Sequence, residues 1–285
     1  MAAPLRDQLG PYGVWRGGWQ TTPAFAAELE RLGYGALWIG SSPSGDLGIV
    51  DDVLDATATL TVGTSIVNIW KDDAVTVAQS FARIQERHPG RFVLGVGAGH
   101  REATSEYASP YEALAAYTDR LLEHDVPAER IVLAALGPKM LRLAGERTAG
   151  AIPYLVPPEH TRLAREILGP EPLLAPEHKA VLDSDPVSAR KLGGSRVRNP
   201  YLGLVNYTSN LRRLGFTDAD LSGGGSERLI DALVAHGSPD AVAEQLGAHL
   251  AAGADHVCVQ LLTGEGQDPL PGYGSIARAL SLQAR

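Results

Sequence analysis

The chain has 285 residues and one cysteine, so it can form neither an intrachain disulfide nor a cysteine-rich zinc module. At 44% hydrophobic and 20% charged, it is too apolar and too weakly charged for a disordered chain. Lys and Arg total 25 against 33 Asp and Glu, a net charge of −8, which argues against nucleic acid or an anionic membrane as partner. The opening MAAPLRDQLG lacks the basic-then-apolar build of a secretory leader, and no run of about 18 apolar residues marks a membrane span. A reducing, cytoplasmic setting and a small-molecule substrate are expected.

Short apolar runs alternate with amphipathic segments. The first strand is read at Pro11–Trp15, followed by a helix over Pro23–Leu32. Thr22 is its N-cap, Pro23 its first residue and Gly33 its stop. A second strand, Ala36–Gly40, precedes a helix over Asp51–Leu60, and a third strand covers Val62–Ile69. The helix Asp73–Glu86 places Val77, Phe81 and Ile84 on one face. Strands four to six are Phe92–Val96, Ile131–Leu136 and Ile152–Val156, with helices at Tyr111–Glu123, Pro138–Gly145 and Pro158–Ile167. The seventh strand is Lys179–Leu182. The eighth, His256–Leu262, follows the helix Pro239–Ala251, and a short helix, Ser275–Leu282, closes the chain.

Strands alternating with helices imply a parallel sheet, and eight such steps at this length fit a (β/α)8 TIM barrel in a single domain, residues 1–285. An open doubly wound sheet is the alternative. Pro186–His236, between strands seven and eight, reads as an insertion and a candidate lid.

Hydrolytic and phosphate-loop signatures are missing: there is no G-x-S-x-G, no H-E-x-x-H and no G-x-x-x-x-G-K-[ST]. The histidines show no metal spacing, and Cys258 sits in an apolar strand as a core residue. The run Leu94-Gly95-Val96-Gly97-Ala98-Gly99-His100-Arg101-Glu102 is not a dinucleotide fingerprint, since His100 stands where the third glycine belongs. At the carboxyl end of a barrel strand, Gly97, Ala98 and Gly99 let a flat ring approach the backbone, or simply make a turn. Asn68 and Trp70 end the third strand, where a buried amide needs a partner, either a ligand or a neighbouring loop. Ala135-Leu136-Gly137-Pro138-Lys139 opens a helix whose N-terminus suits an anion or an ordinary cap. Asn206–Phe216 combines polar and aromatic residues, as either a substrate-facing lid or a surface helix would.

Taken together, GTSIVNIW, PGRFVLGVGAGHRE, VLAALGPKMLRLAGERTAGAIPYLVPPEHT, GADHVCVQ and NYTSNLRRLGFTDADLSGGGSERLIDALV resemble the luciferase-like oxidoreductase superfamily. They are most similar to its branch that uses the deazaflavin coenzyme F420. The resemblance implies a (β/α)8 barrel, a homodimer and a non-proline cis peptide, here joining Ser65 to Ile66. It implies cofactor contacts at Ser41, Ser65, Ile66, Asn68, Gly97, Ala98 and Gly99, and a phosphate turn at Ala135, Leu136, Gly137 and Pro138. Substrate would meet Trp70, Tyr207 and Asn210, with His100 as proton donor or acceptor. No metal is implied. Relatives that oxidise sugar phosphates carry an Asp-His pair where this chain reads Gly40-Ser41-Ser42-Pro43, and often an acidic residue where it has His100. Sugar-phosphate oxidation is therefore not expected. Hydride transfer between F420 and a small organic molecule is the expected reaction. The alternatives are an FMN-dependent monooxygenase or a flavin-binding protein without turnover.

Overall fold

The computed structural model describes residues 4–99 and 109–283; His100 lies outside the described residues. Along the chain run α1 (Leu5–Leu9), β1 (Tyr12–Gly17), α2 (Pro23–Arg31), β2 (Ala36–Gly40), α3 (Gly48–Asp55), β3 (Thr61–Ser65), β4 (Val67–Asn68), α4 (Ala74–Arg87) and β5 (Phe92–Gly97). Then come α5 (Pro110–Glu123), β6 (Ile131–Leu133), α6 (Pro138–Arg147), β7 (Gly150–Ala151), α7 (Pro158–Leu168), β8 (Leu173–Leu174) and β9 (Glu177–Val181). The last part holds α8 (Pro186–Arg198), α9 (Val205–Arg213), α10 (Asp218–Leu221), α11 (Glu227–Leu233), β10 (Val234–His236), α12 (Pro239–Ala251), β11 (Val257–Leu261) and α13 (Leu270–Ala279).

Every strand pair is parallel, in the order β10-β9-β11-β1-β2-β3-β5-β6-β7-β8, with β4 on β5. The two ends of the barrel wall meet because β8 and β9 are one chain segment interrupted at Ala175 and Pro176. Pairing to the β7 side continues across that break: Ala175 N–H donates to Ala151 O at 3.0 Å and Glu177 N–H to Pro153 O at 2.8 Å. The wall therefore has eight staves, two of them broken, and closes as a (β/α)8 barrel. The third stave breaks at the Ser65–Ile66 peptide, which is cis.

Local chemistry sets the helices. Thr22 caps α2, its hydroxyl accepting Phe25 N–H at 3.2 Å, and Pro23 takes the first helical position. Asp73 caps α4 by accepting Val75 and Thr76 N–H, both at 3.0 Å. Inside the barrel, Leu9, Trp38, Val93, Val132, Ile152 and Cys258 fill the wall, so Cys258 is a core residue. Trp38 Nε1–H donates to His256 Nε2 at 3.0 Å, leaving His256 Nδ1–H to donate to Gly10 O at 2.7 Å. A separate cluster that includes Val197, Leu204, Leu211, Phe216, Leu229 and Leu233 gives residues 186–236 a core of their own, seated on Leu155, Val181 and Leu262.

Several boundaries differ from expectation. The helix expected over Asp51–Leu60 is α3, ending at Asp55. The Glu30 carboxylate accepts Ala58 N–H at 3.0 Å and Leu60 N–H at 2.8 Å, which turns the chain there instead. The sixth stave is Gly150–Ala151, earlier than Ile152–Val156, because Pro153 has no N–H and Leu155 has φ +56°. The seventh stave begins at Leu173, well before Lys179. Residues 186–236 hold four helices and β10, which adds a further strand beside β9.

Candidate functional site

The carboxyl ends of the barrel strands converge on a cavity of about 560 Å³. Of the residues singled out from sequence, Ser41, Ser65, Ile66, Asn68, Ala98, Gly99, Ala135, Leu136, Gly137 and Tyr207 line it. These residues come from four staves and the insertion; Trp15 and Ile152, which also line the mouth, bring the staves to six.

One wall is built from small residues and backbone. Trp15 Nε1–H donates to Ser65 Oγ at 3.0 Å and steadies the bulge that follows β3. Asn68 meets its own loop: its Oδ1 accepts Trp70 N–H at 3.0 Å, which leaves the amide NH₂ to face Gly99. Gly99 has φ +61°, and a Cβ there would stand 2.7 Å from Asn68 Nδ2. Gly97 has another reason. It is buried and does not line the cavity; a Cβ would stand 2.8 Å from Ala134 Cβ, so it serves strand packing. Ser41 and Ser42, at the end of β2, both hold positive φ, +66° and +52°. Such backbone costs on the order of 1–3 kcal/mol per residue and gathers at functional sites.

The opposite corner, at Gly137, lies beside a charge outside the lining. Gly137 is the N-cap of α6, with no side chain bonded to that helix end among the described residues, and Pro138 follows at the first position, exposed and outside the lining. Arg213, on α9, places its guanidinium 3.5 Å from where a Gly137 Cβ would be. Arg213 Nη2 donates to Asn210 Oδ1 at 2.9 Å, and no carboxylate pairs with Arg213 among the described residues. His160 Nε2–H donates to Leu136 O at 2.9 Å, leaving its buried Nδ1 without a partner among the described residues. Burial, with Arg213 nearby, pushes the His160 imidazole below its ordinary range. Asn210 Nδ2 is also buried and has no partner among the described residues. A helix N-terminus beside a guanidinium that no described carboxylate pairs suits an anion such as a phosphate.

Two residues singled out for substrate do not line the cavity. Trp70 turns its Nε1–H onto Ala98 O at 2.8 Å and borders a shallower pocket between α4 and α5. Asn210 is buried behind Arg213. The sequence reading missed Arg213, Tyr154, Tyr201 and the pair Glu177–Lys179. The pair left a signal: two opposite charges two residues apart inside a strand share one face. Among the described residues no cluster of three or more metal-ligating side chains occurs, and no helix is long and apolar enough to cross a membrane.

Residues 5–124 match the family model described as luciferase-like monooxygenase. No curated protein matches the sequence. Among solved structures, the chain is similar to an F420-dependent secondary alcohol dehydrogenase in complex with an F420-acetone adduct, at 15% identity and TM-score 0.71, covering 95% of this chain and 99% of that one. It is similar to the coenzyme F420-dependent tetrahydromethanopterin reductase from Methanopyrus kandleri, at 16% identity and TM-score 0.70, covering 95% and 98%. It is also similar to the FMN-bound oxygenating constituent of 3,6-diketocamphane monooxygenase from Pseudomonas putida, at 17% identity and TM-score 0.65, covering 96% and 98%. At these identities the likeness shows the fold.

Proposed function

We propose, from the premise that this chain is luciferase-like in sequence over residues 5–124 and in fold, that it is an oxidoreductase that takes a deazaflavin of the F420 type and moves hydride between it and a small organic molecule. The observation that carries this reading is the pairing, in one cavity, of a wall without bulky side chains and an anion corner. Two of the neighbours described above are F420-dependent by their descriptions, and the segment resemblance favours the same cofactor.

The residues present fit such a group. Ser65, Ile66, Asn68, Ala98 and Gly99 would take the ring plane, and the Asn68 amide NH₂ would face its polar edge. Gly137 and Arg213 would hold the phosphate, with Asn210 fixing the guanidinium. The group, when bound, supplies two-electron chemistry; the chain supplies orientation, charge and exclusion of water. His100 remains the proposed proton donor or acceptor, on the chemistry of a neutral imidazole.

Equilibrium titration with F420 and with FMN, followed by absorbance, tests the assignment. F420 is expected to bind saturably and more tightly than FMN. Arg213→Gln is expected to weaken F420 about tenfold, the scale of one lost charge-assisted contact. Tighter binding of FMN would instead favour the monooxygenase alternative, and binding of neither would leave a protein without redox function. A homodimer is part of the proposal and is read by light scattering.

A further inference from the structure

The wall at the cis peptide carries two polar side chains, Ser65 and Asn68, on the broken third stave, and both line the cavity. Each has its oxygen engaged by a group that can only donate. The Trp15 indole N–H donates to Ser65 Oγ at 3.0 Å, so the serine oxygen accepts there and its own proton is turned to another partner. The Trp70 main-chain N–H donates to Asn68 Oδ1 at 3.0 Å, so that end of the amide is the oxygen and the other end is NH₂. The indole that sets Ser65 is itself fixed. It is buried, and a Cβ at Gly40 would stand 2.0 Å from its ring, so only glycine makes room for it.

The carbonyls around them also accept from the chain itself. Asn68 O takes Lys71 N–H at 3.0 Å, Gly97 O takes Ile69 N–H at 3.1 Å, and Ala98 O takes the Trp70 indole N–H at 2.8 Å. Internal N–H groups thus occupy the acceptors of this wall, while the serine proton and the amide NH₂ are donors. A ligand edge made of N–H groups would meet donors there and lose its water without replacement. An edge of carbonyl oxygens would be paired, and more strongly when it carries negative charge.

We infer that Ser65 and Asn68 are a two-donor clamp for the electron-rich carbonyl edge of the bound ring, and that they favour the ring's anionic form over its neutral one. The inference deepens the oxidoreductase reading and rests on it for the identity of the ring. The ring hydroxyl of an F420-type deazaflavin ionises, and conjugation spreads the negative charge of the anion to the pyrimidine carbonyls. Donors held at those oxygens stabilise the anion, so the bound ring gives up that proton at lower pH than it would without them. Other charges act near the site. Lys71, Asp72 and Asp73 follow β4, Glu177 and Lys179 are paired behind Tyr154, and Arg213 stands at Gly137. The charged residues between 100 and 108 lie outside the described residues. All of these are unchanged in a Ser65 or Asn68 variant, so the difference from wild type isolates the two donors.

The test is a pH titration of protein-bound F420, followed by the visible absorbance of the ring, with affinity read from a parallel equilibrium titration. Asn68→Asp keeps an oxygen for Trp70 N–H and turns the outer donor into an acceptor. It is expected to keep the wild-type melting temperature, to raise the midpoint of the ring by about one pH unit, and to weaken F420 at least about tenfold. A carboxylate also repels the anion, so Ser65→Ala, which adds no charge, is read beside it and is expected to raise the midpoint by about half a unit. If Ser65→Ala does not fold, Asn68→Ser, whose hydroxyl can still accept Trp70 N–H, takes its place. A midpoint that stays at the wild-type pH in either variant, or F420 bound by Asn68→Asp as tightly as by wild type, would overturn the clamp and leave the cofactor assignment standing. Failure of the wild-type protein to bind F420 would overturn both.

Discussion

Gly99 and Lys179 show how single positions serve this cavity. Gly99 combines φ +61° with a side-chain neighbour 2.7 Å from where its Cβ would lie. Gly99→Ala is expected to cost about 1–2 kcal/mol, the scale of left-handed backbone in a residue with a Cβ, and to weaken cofactor binding by displacing Asn68. Calorimetric melting checks the first effect and cofactor titration the second. Lys179 and Glu177 are a buried pair, the acid pushed up and the amine pushed down by loss of solvent. Lys179→Met alone would leave a carboxylate with no cation and is expected to cost about 3–5 kcal/mol. Lys179→Met combined with Glu177→Leu is expected to recover most of that loss. A single variant as stable as wild type in a denaturant melt would contradict the pairing. These residues were hard to read in sequence for opposite reasons. Gly95, Gly97 and Gly99 look alike on paper, yet the first two answer to neighbouring strands and only the third lines the cavity. Lys179 looked like the start of a strand and is its middle.

At the scale of elements, helices α7 and α12 are tied to β9 by a buried polar chain. Thr161 Oγ1 lies 2.7 Å from His249 Nδ1, His249 Nε2 lies 2.9 Å from His178 Nδ1, and His178 Nδ1 lies 3.4 Å from Val156 O. In the bond between the two ring nitrogens one must accept, so at least one of the two rings is neutral. Burial holds His178 down to about 4 and His249 well below its usual range. Unfolded, both would take up a proton near pH ~6.5. Between those values the unfolded chain binds more protons, so stability rises with pH across that window and is full above it. Melting temperature is therefore expected to fall as pH drops from about 6.5 toward 4, and His249→Gln is expected to flatten part of that slope. An unchanged slope in the variant would refute the role given to the pair. Long periodic elements such as α2 and α4 were legible because capping and one apolar face agree. The two-residue staves β4, β7 and β8 were not, since the barrel imposes pairing on stretches too short to show a period.

For the molecule as a whole, strand count was enough to suggest a barrel, while closure through a broken seventh stave needed the register. The site was half legible. Its glycine wall and helix N-terminus sit in contiguous motifs beside strand ends, whereas Tyr201 and Arg213 come from the insertion, where no period or motif shows which side chains turn inward. On the proposed function, these distant segments meet on one planar, phosphorylated redox molecule. A crystal structure of the protein soaked with F420 tests this without intermediaries. The ring is expected against Ser65, Ile66, Asn68 and Gly99, and the phosphate within hydrogen-bond reach of the Gly137 turn and Arg213. Density for the cofactor in the pocket between α4 and α5, or with its phosphate away from Gly137 and Arg213, would contradict it.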